Sequence, residues 1–310
     1  MEVEQLPRCL DLYASSGFTL NQEKCNLLMN SLVVLQNENH FKKVFFWGQI
    51  YGIQDDYYIA FGYDKDALRS RVFYYSRNAI TWVLVPILKP KERKHYLTHI
   101  STNRFFGNPS TVVEVLDEKP SEEPARSQKA YEKLNDELLD EQEQEEILEE
   151  QKIDSLRAME IVEEYKLKEE DRLAAVIRFI NQEAFVVPRG ALLKQTSGRV
   201  VPNPAFKGLR LEEATILSNY MHCRIPRERW EVNVGRRPDY NYATDFLDTV
   251  AEDIPKNHAW SVQVCQGNRV VILRSLYWHG LTFYHLLNTK IHGCLYMGFG
   301  EKNLDIPFMV

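Results

Sequence analysis

The run VVILRSLYWHGLTFYHLLNTKIHGCLYMGFGEKNLDIPFMV, Val270 to Val310, constrains this chain more than any other stretch. It is dense in aromatic and β-branched residues, which favour a pleated, half-buried surface. Gly267 marks a turn just ahead of it. Trp260 to Val264 and Arg269 to Leu276 are therefore expected as a hairpin about Gln266-Gly267-Asn268, followed by strands at Leu281–Leu286 and Gly293–Gly298. The run closes on Ile306, Pro307, Phe308, Met309 and Val310. Leaving that segment in water forgoes about 25 cal/mol for each Å² of apolar surface that burial would remove. It is expected to be tied down, on its own sheet or on a neighbour.

The rest of the chain alternates blocks of strand and helix instead of repeating βαβ units. The expected fold is α+β, with mostly antiparallel sheets, packed helices and a long acidic helical insertion. Leu20, Lys24, Leu27, Leu28, Ser31, Leu32 and Leu35 recur at helical spacing, with Thr19 or Asn21 as N-cap. Val44–Tyr51 and Tyr57–Tyr63 are expected strands about a turn at Gly52–Asp56. Val72–Tyr75 and Ala79–Leu88 are two more. Two short extended runs flank the Pro-Arg-Gly kink at 188–190. Leu211 to Met221 and Ala243 to Ile254 carry helical spacing.

Charge divides the 310 residues unevenly. Asp117 to Asp171 holds 21 acidic residues against 8 basic, a balance of −13, whereas the remainder carries +7. Pro120 and Pro124 open this segment, and Ala130 to Asn181 is expected as one or two long helices. Three regions follow: 1–116, an N-terminal helix with a β-rich region; 117–160, an acidic linker or insertion; and 161–310, a C-terminal α+β region. The five cysteines are odd in number and form no C-x-x-C pair, which fits reduced thiols. No apolar run reaches a membrane-spanning length, and the N-terminus lacks a secretory pattern. A cytoplasmic or cytoskeletal location is expected.

Each candidate for chemistry fails on spacing. His95 and His99 have zinc-ligand spacing, but Tyr96 stands where a metalloprotease carries its Glu. Gly298-Phe299-Gly300 lacks the third glycine of a dinucleotide loop. Asp55 and Asp56 are adjacent, so on extended backbone they face apart. His222-Cys223 and His292-Gly293-Cys294 bring His near Cys without any nucleophile elbow. Arg69, Arg71 and Arg77 interleave with Phe73, Tyr74 and Tyr75, yet the RNA-binding consensus is absent. No catalytic, cofactor or metal residue is assigned. Nucleic acid, membrane and small-molecule substrate are not expected partners.

FFWGQIYGIQDDYYIAFGY (Phe45–Tyr63), FFGNPS (Phe105–Ser110), FVVPRGALLK (Phe185–Lys194), FKGL (Phe206–Leu209), LRSLYWHGLTFYH and YMGFGEKNLDIPFMV occur in order along both halves. Together they resemble the radial spoke head protein 9 family of motile cilia and flagella. The resemblance implies a non-catalytic structural subunit without cofactor. It implies a place in the head of the axonemal radial spoke, beside the related spoke head proteins 4 and 6. There it would face the central pair and help regulate beating. The segment Asp117–Asp154 is longer than this pattern ordinarily has between its FGNPS-like and PRGAL-like motifs. Two other readings stand beside this one: an adaptor acting through the acidic helix, and an enzyme of unrecognised type. Trp47, Tyr57, Tyr58, Trp278, Tyr284 and Phe308 are the candidate partner contacts, each with a competing claim to the core.

Overall fold

A computed structural model describes residues 1–13, 20–89, 96, 103–116, 165–226, 239–256 and 258–308. Contacts divide the chain into two compact units, 1–109 with 169–310, and 110–168. These units differ from the three regions expected from charge, because the stretches before and after the acidic segment share a single sheet.

That sheet has eight strands: β1 (Lys43–Ile50), β2 (Tyr57–Tyr63), β3 (Val72–Ser76), β4 (Val83–Leu84), β11 (Trp260–Cys265), β12 (Val270–Ser275), β13 (Leu281–Leu286) and β14 (His292–Gly298). Their order is β11-β12-β13-β14-β1-β2-β3-β4. Each half is an antiparallel meander. The halves join where β1 runs parallel to β14, with Gly48 opposite Tyr296 and Ile50 opposite Gly298. Two pairs of short strands accompany the sheet: β7 (Val186–Pro188) with β10 (Tyr220–His222), and β8 (Leu192–Lys194) with β9 (Val200–Pro202). In the smaller unit, β5 (Val112–Leu116) pairs antiparallel with β6 (Tyr165–Lys168).

All seven residues of β2 are buried, so both faces of the sheet are covered. The period-2 alternation sorts them. One face presents Val44, Phe46, Tyr58, Ala60, Tyr284 and Leu295 to helices α1 (Leu6–Tyr13) and α2 (Gln22–Glu38). Helix α2 begins where the Asn21 side chain accepts the Glu23 amide, and it buries Cys25, Leu28, Leu32 and Leu35. It ends as the Asn39 side-chain amide donates to the Leu35 carbonyl. The other face carries Trp47, Tyr57, Phe61, Phe283 and Tyr296 beneath helix α3 (Glu169–Glu183) and strand β7. There the Cys294 thiol meets the Val186 backbone at 3.2 Å.

Several expectations change. The Ala79–Leu88 strand shrinks to Val83–Leu84, because the Asn78 side chain accepts the amides of Ile80 and Thr81 and fixes a turn. Helix 211–221 is one turn, Leu211–Ala214, then a 3-10 turn, and Met221 lies on a strand. In Ala243–Ile254 only a 3-10 turn at Val250–Glu252 forms, because Asp245 and Asp248 turn to arginines. Between Ala130 and Asn181, residues 165–168 are strand and the helix starts at Glu169. The remainder of the expected acidic helix lies outside the described residues. Helix α1 was not expected from the sequence.

Candidate interaction surface

The motif glycines mark close backbone approaches. Gly48 has φ +151°, and a Cβ there would sit 2.0 Å from the Tyr296 carbonyl oxygen, on the strand that joins the two half-sheets. Gly107 has φ +99°, and its Cβ would meet the Asp55 carbonyl at 2.4 Å. Those conformations are open to glycine and costly to other residues.

Buried polar anchors accompany them. Glu169, 1% exposed at the start of α3, accepts the Tyr57 hydroxyl at 2.6 Å and the amides of Phe106 and Gly107 at 2.7 Å. Its carboxylate pushes the Tyr57 hydroxyl pKa up, after burial itself. Arg189 of the Pro-Arg-Gly kink grips Asp245 with two bonds, 2.7 and 2.6 Å, and reaches Asp239 at 2.6 Å. The Trp278 indole and Lys302 both bind the Glu183 carboxylate. His285 is fully buried. It accepts the Leu209 amide at Nε2 and donates from Nδ1 to the Ile291 carbonyl, which fixes the neutral tautomer.

The residues singled out for chemistry scatter. Asp55 pairs with Arg77 at 2.5 Å, whereas Asp56 accepts Gln49 and the Gly52 amide. His222 binds Asp253, while Cys223 takes a bond from Arg71. Burial pushes the Cys294 thiol up to about 12 and lowers His292 to about 4. Gly300 closes a turn onto the Tyr296 hydroxyl. His95 and His99 lie outside the described residues. No group of three metal-ligating side chains occurs among the described residues.

Of the six candidate contacts, Trp47, Tyr57, Tyr58, Trp278 and Tyr284 are buried inside the chain's own core. A side chain already enclosed by its own fold has no surface to offer a partner, so these five build the body. Phe308 is 87% exposed, beside a buried Ile306. The terminal segment is held upstream, where Trp278 bridges to Lys302 and the Asn303 amide donates to Tyr277. Met309 and Val310 lie outside the described residues.

Two surface features were not read from sequence. The first is the sheet's end at β4, where Ile80, Val83, Leu84 and Ile87 are exposed and, among the described residues, β4 pairs only with β3. Ser31 of α2 bonds the Ala79 carbonyl and the Trp82 indole, which fixes this segment beside the helix. The second is a cleft of about 460 Å³ lined by Phe45, Phe61, Phe185, Leu192 and Phe206, with Arg71 and Lys290 among its polar groups. Phe45 stacks on Phe61 at 5.0 Å, and Arg71 lies 5.3 Å from the Phe61 ring centre. Phe45, Phe185 and Phe206 begin three of the sequence motifs, the one signal that points toward this cleft.

A sheet covered on both faces, glycine-locked strand approaches and inward-facing polar anchors make a tightly packed α+β body. The family profile described as "Radial spokehead-like protein" matches residues 1–173, and the chain belongs to that family. It is 38% identical over 311 residues to the Radial spoke head protein 9 homolog of Bos taurus, with 100% of each chain covered. The homologs of that name from Homo sapiens and Danio rerio are 37% and 36% identical over 310 residues, again across 100% of both chains.

Proposed function

We propose that this chain is a non-catalytic structural subunit of the radial spoke head in the axoneme of motile cilia and flagella. In this reading it is needed for spoke head assembly and for regulating the beat. It sits beside spoke head proteins of the 4 and 6 type, and the assembled head faces the central pair. The observation that carries the reading is similarity across the whole chain to relatives named as radial spoke head proteins. The packed body supports it, since the buried titratable groups are spent on holding elements together.

The contact surface is proposed to be the exposed apolar edge at Ile80–Ile87, with Phe308 as a second contact. Exposed edge strands offer unpaired backbone groups to a neighbour. The segment 117–160 is proposed as an arm that the assembly can do without. Depletion in cells bearing motile cilia tests the reading, with the axoneme imaged and the beat recorded. Spoke heads should be lost and the beat altered. Normal heads in depleted cells would end the proposal. Removing residues 121–150 should leave incorporation intact, whereas an adaptor working through that arm would lose its partner.

A further inference from the structure

We infer that the cleft between β1–β2 and the Phe185–Phe206 region is a docking groove for an extended apolar segment of a partner protein, anchored by an acidic side chain on Arg71. The inference rests on the structural reading above, because it takes the occupant to be protein.

Four charged side chains line the cleft: Glu2, Lys43, Arg71 and Lys290. Glu2 and Lys43 neutralise one another at 2.7 Å. Arg71 and Lys290 meet no carboxylate among the described residues. Lys290 donates to the Pro204 carbonyl at 2.6 Å. The Arg71 guanidinium donates to the carbonyls of Ala67 and Cys223, to the Asn181 side chain, and at 2.8 Å to the Cys223 sulfur. Those acceptors are all neutral, and the sulfur is a weak one. A partly buried guanidinium ordinarily finds a carboxylate, which it binds in a fork geometry. Here the backbone and Asn181 pin the cation in place, and Nη2 retains one donor beyond the sulfur.

Shape gives the rest. The walls around Arg71 are phenylalanine rings and aliphatic side chains, and a volume of about 460 Å³ accepts a few side chains of an extended segment. Such a wall rewards apolar neighbours of the acid and not a fully charged stretch. The occupant is therefore a short segment with an Asp or Glu between apolar residues. Arg71 supplies selectivity for the acid and the rings supply area.

The test uses the purified full chain and a fluorescein-labelled tripeptide, leucyl-aspartyl-phenylalanine amide, beside its asparaginyl counterpart, followed by fluorescence anisotropy. The aspartyl peptide should bind at least tenfold more tightly than the asparaginyl one. Arg71→Gln should abolish that preference. Because Arg71 also bonds its own fold, the exposed Lys290→Glu is the second variant, and it should weaken the aspartyl peptide several-fold while sparing the other. Equal binding of the two peptides, no binding of either, or an unchanged preference in folded Lys290→Glu would each overturn the inference. Pull-down of the wild-type chain with axonemal proteins, scored alongside, separates the two failures. A chain that co-purifies with axonemes yet ignores the peptide sinks the groove alone.

Discussion

The two faces of the central sheet are built on different principles. Against α1 and α2 the contact is dry: Leu6, Leu28, Leu32 and Leu35 meet Phe46, Ala60 and Leu295. Against α3, β7 and the loops that follow, ring packing is interrupted by Glu169, His285 and Arg71, each bonded to a distant part of the chain. Apolar burial is non-directional, so the first face holds whatever fits it. Hydrogen bonds from buried groups demand one geometry. The first face therefore supplies stability and the second fixes the register of the loops that border the cleft.

The contrast can be broken by substitution. Phe46→Ala on the dry face opens a cavity and should cost about 3–5 kcal/mol, read as a lower urea midpoint with an unchanged slope. Glu169→Leu strands the Tyr57 hydroxyl and two amides, and should cost about 3 kcal/mol at neutral pH. A smaller loss for Glu169→Leu than for an exposed ion pair would erase the distinction between the faces.

Acid should sharpen it. Burial holds His285 at about 4 against an ordinary 6.5. The unfolded chain binds that proton more readily, so its contribution is full above pH 6.5 and is lost as pH falls toward 4. By pH 5 the loss is about 2 kcal/mol, and His292, shifted the same way, adds to it in sign. Denaturant midpoints at pH 7.5 and 5.0 should separate, and His285→Gln should narrow the separation. The smallest effects belong to the rim. Arg77→Ala removes an exposed pair with Asp55 and should change stability by less than about 1 kcal/mol. Ile87→Ser should leave stability within about 0.5 kcal/mol while weakening incorporation into spokes.

The sequence disclosed what is local and periodic. The hairpin at 260–275 follows from strand composition and from Gln266, Gly267 and Asn268, all of positive φ. Helix α2 follows from its spacing and cap. Ala243–Ile254 misled because its apolar spacing is helical while Asp245 and Asp248 spend their carboxylates on Arg189 and Arg224. Side chains that compete with backbone for hydrogen bonds weaken a helix in ways that periodicity does not register. The cleft escaped for a different reason. Arg71 sits among aromatics in sequence, but its neighbours Asn181 and Cys223 are more than a hundred residues away. Nothing local distinguishes a guanidinium that meets its acid from one that does not.

The parallel seam between β1 and β14 bears on how the chain is made. A ribosome releases the first half-sheet long before the last strand exists, and such distant pairing is slow to close. In the interval Trp47 and Ile50 stand on an unfinished border with ladder groups open, the kind of edge on which nascent chains stick to one another. The border at β1 closes only when β14 pairs along it, so the two half-sheets become one surface at a late step.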